Sequence, residues 1–270
     1  MENNKLNRRQ LVTLIGGLAG AGAAATLYAA TGDVAAPKPS ITAPSKPASA
    51  MQQVPWPYKP VDADVVAQRA YESYWKGHCM YGSFEAIVAT VAGHLGEPYT
   101  NFPYMMFKYG AGGVNGWGTL CGSLNGSLSA IQLLSPDPNP IIDNLMAWYE
   151  VEPLPNFYAK GAKFPEVRSA AGTPLCHESI AHWCKASGKK SYSPERIERC
   201  GTLTASVARK TVQLLNDQAA GKHLTVLAQS KQTQSCSVCH EHGGELENMR
   251  AKMDCGGCHQ VQIKSGHGVI

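Results

Sequence analysis

Nine cysteines and nine histidines in 270 residues are a dense supply of metal-binding side chains, and four of the cysteines fall in two matching frames. These are Cys236-Ser237-Val238-Cys239-His240 and Cys255-Gly256-Gly257-Cys258-His259. Each has the spacing of a c-type haem attachment site. Two thiols add across the porphyrin vinyl groups, the two intervening residues set their separation, and the adjacent imidazole falls beneath the iron as proximal ligand. At this Cys and His content a chance match is expected on the order of 0.01 times per chain, and two are far rarer. The frames therefore predict two haem c groups per chain, held by Cys236, Cys239, Cys255 and Cys258, with His240 and His259 as proximal ligands. A four-cysteine zinc site is the competing reading, because the two pairs begin 19 residues apart, inside the zinc range. Zinc, however, does not require a histidine after both pairs. Disulfides are the other fate of exported cysteine, but a Cys-x-x-Cys pair is more often catalytic, and no thioredoxin-like strand pattern accompanies it.

Each iron needs a sixth ligand, and seven histidines remain: His78, His94, His177, His182, His223, His242 and His267. His242 lies two residues beyond His240, too close to reach the opposite face of the same haem. Supply favours histidine over methionine such as Met253, and histidine would keep the potential low.

Cys79, Cys121, Cys176, Cys184 and Cys200 lie outside the frames, an odd number that cannot all be paired. Cys121 ends a loop in which Tyr109 to Gly126 holds seven glycines. The loop is no Walker motif, since no Gly-Lys-Ser/Thr follows, and it lacks the third glycine and preceding strand of a dinucleotide fingerprint. Backbone donors aimed at sulfides would suit an iron–sulfur cluster. Buried free thiols, or one or two disulfides, remain the plain alternative.

The elements that must position these residues read as helices broken by Gly/Pro loops, so the fold class is mainly α. Expected helices are Asp62 to Trp75, Ser83 to Leu95, Gly122 to Leu134, Ile141 to Tyr149, Thr173 to Ser187 and Pro194 to Asn216. Thr173 with Pro174, and Ser193 with Pro194, have the form of an N-cap followed by proline at the first helical position. The organisation expected is a leader and Pro/Ala-rich spacer over 1–50, a helical domain over 51–225 and a dihaem tail over 226–270. In the leader, Arg8-Arg9 precede the uncharged run Leu11 to Ala30, the layout of a twin-arginine export signal, with Ala48-Ser49-Ala50 as a candidate cleavage site and cleavage after Ala30 or retention as an anchor as the alternatives. Twin-arginine export carries folded proteins, so a periplasmic destination is expected, with no stable membrane span after cleavage. The formal charge of +4 belongs mostly to residues 1–50; without them 19 basic residues face 18 acidic ones, and nothing favours nucleic acid.

Cys79-Met80-Tyr81-Gly82-Ser83-Phe84, the Gly-Trp-Gly-Thr-Leu-Cys-Gly-Ser-Leu-Asn-Gly run of residues 116–126, Leu175-Cys176-His177, Trp183-Cys184 and Cys200 together resemble the C_GCAxxG_C_C family. With the C-terminal haem frames, the chain looks like the split-Soret cytochromes c. The resemblance implies a mainly helical homodimer with two covalent haems per subunit. It also implies histidine on both sides of each iron, at least one ligand donated across the dimer, and a separate iron–sulfur centre. Cys176 and Cys184 would stand about 12 Å apart along one helix, a stretch for one small cluster. Cys79, Cys121, Cys176 and Cys200, which match the four family cysteines, are the expected cluster ligands, with Cys184 in reserve. The Leu-Cys-His element makes His177 the first distal candidate, followed by His223. The function expected is electron transfer between periplasmic redox partners. The competing function is a haem enzyme with one open iron face, of the oxyanion reductase or peroxidase type.

Overall fold

Asp62 starts the fold by accepting the Asp64 and Val65 backbone N–H groups at 2.7 and 3.1 Å, capping helix α1, Ala63–Leu95. The computed structural model describes residues 53–224 and 228–259; the expected leader and export signal, and His267, lie outside the described residues. The chain divides into units 1–51 and 52–270, and only the second is described here.

The other helices are α2, Gly122–Leu134; α3, Pro138–Val151; α4, Cys176–Ser187; α5, Pro194–Ala219; and α6, Lys231–His240. Ser193 caps α5 by accepting the Arg196 N–H, with Pro194 opening the helix. Apolar side chains at helical spacing, such as Phe84, Ile87, Val88 and Val91 on α1 and Leu203, Val207 and Leu214 on α5, turn inward onto one core. α1 packs most extensively on α5 and then on α2. Ile141, Leu145 and Tyr149 of α3 close the same core and are fully buried. No strand forms among the described residues; two isolated antiparallel bridges, Leu120 with Leu175 and Leu154 with Ser169, tie loops together.

Two close approaches set the geometry. A Cβ on Gly126 would stand 2.2 Å from the Met80 carbonyl oxygen, and one on Gly122 would stand 2.3 Å from the Cys79 sulfur. Only glycine lets α2 press its start against the middle of α1.

Several boundaries differ from the sequence reading. The two helices expected over 62–75 and 83–95 are arms of α1, meeting at Gly77 and His78, whose backbone leaves the helical region; His78 has φ 64°. Residues 79–82 continue the second arm because α2 and the glycine loop cover them. Thr173 does not cap α4. Its hydroxyl accepts the Leu175 N–H at 3.2 Å instead, and the helix starts at Cys176, whose N–H donates to the Thr119 carbonyl. Helix α3 is longer than expected, and two 3₁₀ turns, Tyr99–Asn101 and Tyr104–Gly110, lead into the glycine loop. The expected helices end with the one over Pro194 to Asn216, and the tail adds α6. No helix among the described residues is long and apolar enough to cross a membrane.

Candidate metal centre and haem-attachment segment

A cavity of about 390 Å³ lies between α1, α2, α4, α5 and the glycine loop, and Cys79, Cys121, Cys176 and Cys200 all line it. Each thiol arrives on a different element. Cys79 is the first residue past the break in α1, and its thiol points at the Gly110 carbonyl, 3.9 Å away, while accepting the Gly112 N–H. Cys121 stands at the N-cap of α2, and its own N–H donates to the Pro174 carbonyl at 2.9 Å. Cys176 opens α4, held by the 2.7 Å bond to Thr119, while the His177 N–H binds the Gly118 carbonyl at 3.1 Å. Cys200 lies in the second turn of α5, with Arg196 Nη1 4.0 Å from its sulfur. Two of the four thus stand at helix N-termini, where the dipole favours negative charge.

Burial pushes the Cys79 thiol up to about 12, and the neighbouring Cys121 and Cys200 thiols push the same way. Cys176 is raised further by burial and by Cys121, Cys200 and Cys79. The bare Cys79 and Cys176 thiols are therefore protonated at neutral pH, and metal binding at them must release those protons. Among the described residues no three Cys, His, Asp or Glu side chains converge closely enough to hold a single ion. A cavity of this volume is more than ten times the roughly 30 Å³ that one water occupies in the liquid. Four separated thiols around such a space fit a multi-atom cluster better than a lone metal ion.

Sequence reasoning missed part of the lining. Arg199, Arg196, Tyr74, Ser179 and His78 also face the cavity. The buried Tyr149 hydroxyl has no hydrogen-bond partner and lies beside Cys121 and Ser179. One signal was available, since Arg196 and Cys200 are four residues apart and share a helix face. Cys184 is half-buried on α4 and does not line the cavity.

The haem frames meet each other in the tail. Cys236, Cys239 and His240 occupy the last turns of α6, which Ser230 caps by accepting the Thr233 N–H. The Cys236 thiol lies against Cys255, and burial followed by that neighbour raises it. Cys255 is held by its N–H to Thr233 Oγ1 at 3.1 Å, and a helical turn carries the chain on to His259. His240 Nδ1 is 2.8 Å from Asn248 Oδ1. With Nδ1 as the donor to the Asn248 side-chain oxygen, that bond selects the Nδ1–H tautomer. The tail docks on α3 through Lys252 Nζ, 2.9 and 2.8 Å from the Asp143 carboxylate oxygens, and through the Asp254 N–H to Glu150 Oε1 at 3.2 Å. A Cβ on Gly257, inside the second frame, would stand 2.9 Å from Thr173 Cγ2.

The distal candidates are dispersed. His177 is exposed on the first turn of α4, with Nε2 2.5 Å from Glu178 Oε1, and His223 is exposed just past α5. His182 Nδ1 donates to the Ala170 carbonyl at 3.0 Å, and its ring lies beside Gly172. Of these, His182 stands on the side where Gly172 and Thr173 meet the second frame. All nine cysteines are free of disulfide bonds.

Residues 81–214 match a family model described as "Putative redox-active protein (C_GCAxxG_C_C)". That span takes in Cys121, Cys176, Cys184 and Cys200 and begins two residues past Cys79. The matched span takes in most of the helical scaffold and three of the four cysteines that line the cavity. Split-Soret cytochrome c of Desulfovibrio desulfuricans (strain ATCC 27774 / DSM 6949 / MB) is 35% identical over 271 residues, 94% of each chain. A solved structure of the split-Soret cytochrome c from Desulfovibrio desulfuricans ATCC 27774, described as having a novel iron centre, has a TM-score of 0.71 at 32% identity. It aligns over 77% of this chain and 92% of its own. The chain belongs to the split-Soret cytochrome c family.

Proposed function

We propose that this chain is a periplasmic dihaem c-type cytochrome that transfers electrons and holds a separate iron–sulfur cluster. The observation that carries the reading is the pair of Cys-x-x-Cys-His frames, whose leading cysteines Cys236 and Cys255 lie side by side. Cys236 with Cys239, and Cys255 with Cys258, form the thioether links, and His240 and His259 bind the two irons. Cys79, Cys121, Cys176 and Cys200 hold the cluster. Distal ligands are histidines, with His177 and His223 as candidates, and at least one crosses a homodimer. Bound haem and cluster supply one-electron redox chemistry; the protein's part is to hold them close, dry and charge-compensated.

The homodimer has a physical motive. Val238, Leu246 and Met253 are exposed around the frames, and a tail of this size cannot bury two porphyrins alone. A second subunit covers them most simply. The export signal fits the order of assembly, with the cluster inserted before export of a folded chain and the haems attached afterwards to the accessible tail. Residues 1–50 are then the leader, 51–225 the cluster domain and 226–270 the haem tail.

Haem quantification and carbon monoxide test this reading together. Alkaline pyridine spectra should give two haem c groups per chain, and carbon monoxide should leave the spectrum of the reduced protein unchanged. A prompt spectral change at one haem would reveal an open iron and support the enzyme reading instead. A colourless protein would remove both.

A further inference from the structure

Arg199 is the sole buried Lys or Arg among the described residues, 5% exposed. Its Nη1 donates to Ser179 Oγ at 3.0 Å, while Nε and Nη2 are buried without any hydrogen-bond partner. The adjacent carboxylate does not neutralise it. Glu198 Oε1 is committed to the Lys163 and Phe164 backbone N–H groups at 2.7 and 2.8 Å, and its Oε2 to the Tyr71 hydroxyl at 3.4 Å. Arg199 also forms no ion pair with any described residue. A guanidinium cannot shed its proton to escape burial. An unpaired buried charge is strongly unfavourable, so the fold needs an anion beside it. Arg199 lines both the cysteine cavity and a smaller pocket beside Glu195 and Glu198, and of the two the cavity is the one that could hold a bulky anion.

We propose that Arg199 is the charge partner of the cluster, donating its free Nε–H and Nη2–H groups toward cluster sulfur and raising the cluster's reduction potential. The inference rests on the cluster reading above. Four thiolates and bridging sulfides outweigh the positive charge of the irons, so the centre is anionic and becomes more so on reduction. A fixed cation and hydrogen bonds to sulfur favour the reduced form. Arg196, 4.0 Å from the Cys200 sulfur and less buried, adds a second and weaker charge. Ser179, bonded to Nη1, positions the guanidinium fork.

The test uses the full haem-loaded protein, and non-haem iron and acid-labile sulfide are measured first. Their absence from the unmodified protein would overturn the cluster reading itself. With the cluster present, Arg199→Gln should shift its oxidised-to-reduced ratio at fixed potential about tenfold toward oxidised, about 59 mV lower for one electron. Arg199→Lys should recover part of that shift, and the haem potentials should move less. An unchanged cluster potential in Arg199→Gln would overturn the Arg199 proposal while leaving the cluster reading intact. A second readout covers a variant that loses its cluster. Arg199→Met should raise the melting temperature of cluster-free protein, where the cation is unpaired, and should speed loss of the cluster from loaded protein. Destabilisation of the cluster-free form, or failure to fold, would mean that the guanidinium serves the polypeptide alone and would overturn the proposal.

Discussion

Glu150 shows how a single side chain can link the haem tail to pH. Burial raises its carboxyl to about 7, the Asp254 N–H that it accepts lowers it, and the Asp254 charge raises it again. A folded value above the unfolded one, about 4.5, means that the folded state binds the extra proton. The stabilisation is then full below about 4.5 and is lost as pH rises through about 7. Docking of Asp254, and with it the neighbouring Cys255, should loosen between pH 5 and pH 8. Thermal unfolding of the holoprotein across that range should show a falling midpoint that flattens in Glu150→Gln, since the amide oxygen can still accept the N–H. An equal pH dependence in the variant would remove Glu150 from this role. At this scale the residues proposed to attach haem are read from the sequence because the motif is local, five consecutive residues to a frame. Arg199 was not legible. On sequence it is one basic residue on a polar-looking helix, and its significance comes only from burial by elements far away in the chain.

The helices divide by where their stabilisation originates. Helix α5 was readable at its start, where Ser193 and Pro194 stand, and along its apolar stripe, while its last turn runs three residues past the expected Asn216 to Ala219. Helix α4 misled, since Thr173 and Pro174 have the right cap sequence, yet the first N–H groups of the helix are satisfied by carbonyls of the glycine loop. That is a tertiary arrangement, invisible to a cap rule. Helix α6 has almost no apolar periodicity, and it stands because Ser230 caps it and buried Thr233 reaches Asp254 and the Cys255 N–H. Packing of α2 on α1 gives a sharp contrast between two glycines. Gly126→Ala should cost roughly 1–3 kcal/mol or more, because its Cβ meets the Met80 carbonyl and Ser83 hydroxyl at 2.2 and 2.3 Å. Gly93→Ala, on the open surface of α1 with nothing within 4 Å, should stabilise by about 0.5–1 kcal/mol. Chemical denaturation of both variants checks the pair. Because Met80 adjoins Cys79, Gly126→Ala should also lose cluster iron while keeping both haems, and equal stability of the two variants would contradict this packing.

At the scale of the folded unit, one short segment touches both candidate sites. Thr173 meets Gly257 in the second haem frame, Pro174 accepts the Cys121 N–H, and Cys176 lines the cavity. Three residue steps from Thr173 to Cys176 span at most about 11 Å, so a cluster on Cys176 and a haem on Cys255 and Cys258, as proposed, would be close neighbours. That proximity suits electron exchange within one chain, and it gives the glycine loop a purpose beyond backbone donation: it fixes the start of α4, and so the spacing of the two centres. The most direct test of this two-centre reading is the Mössbauer spectrum of ⁵⁷Fe-enriched protein, purified anaerobically and quantified for iron and haem. We expect low-spin haem iron from two haems per chain together with a second population of sulfur-coordinated, tetrahedral iron that is lost when Cys121 and Cys176 are replaced by serine. A spectrum in which two low-spin haems account for all the iron would contradict it.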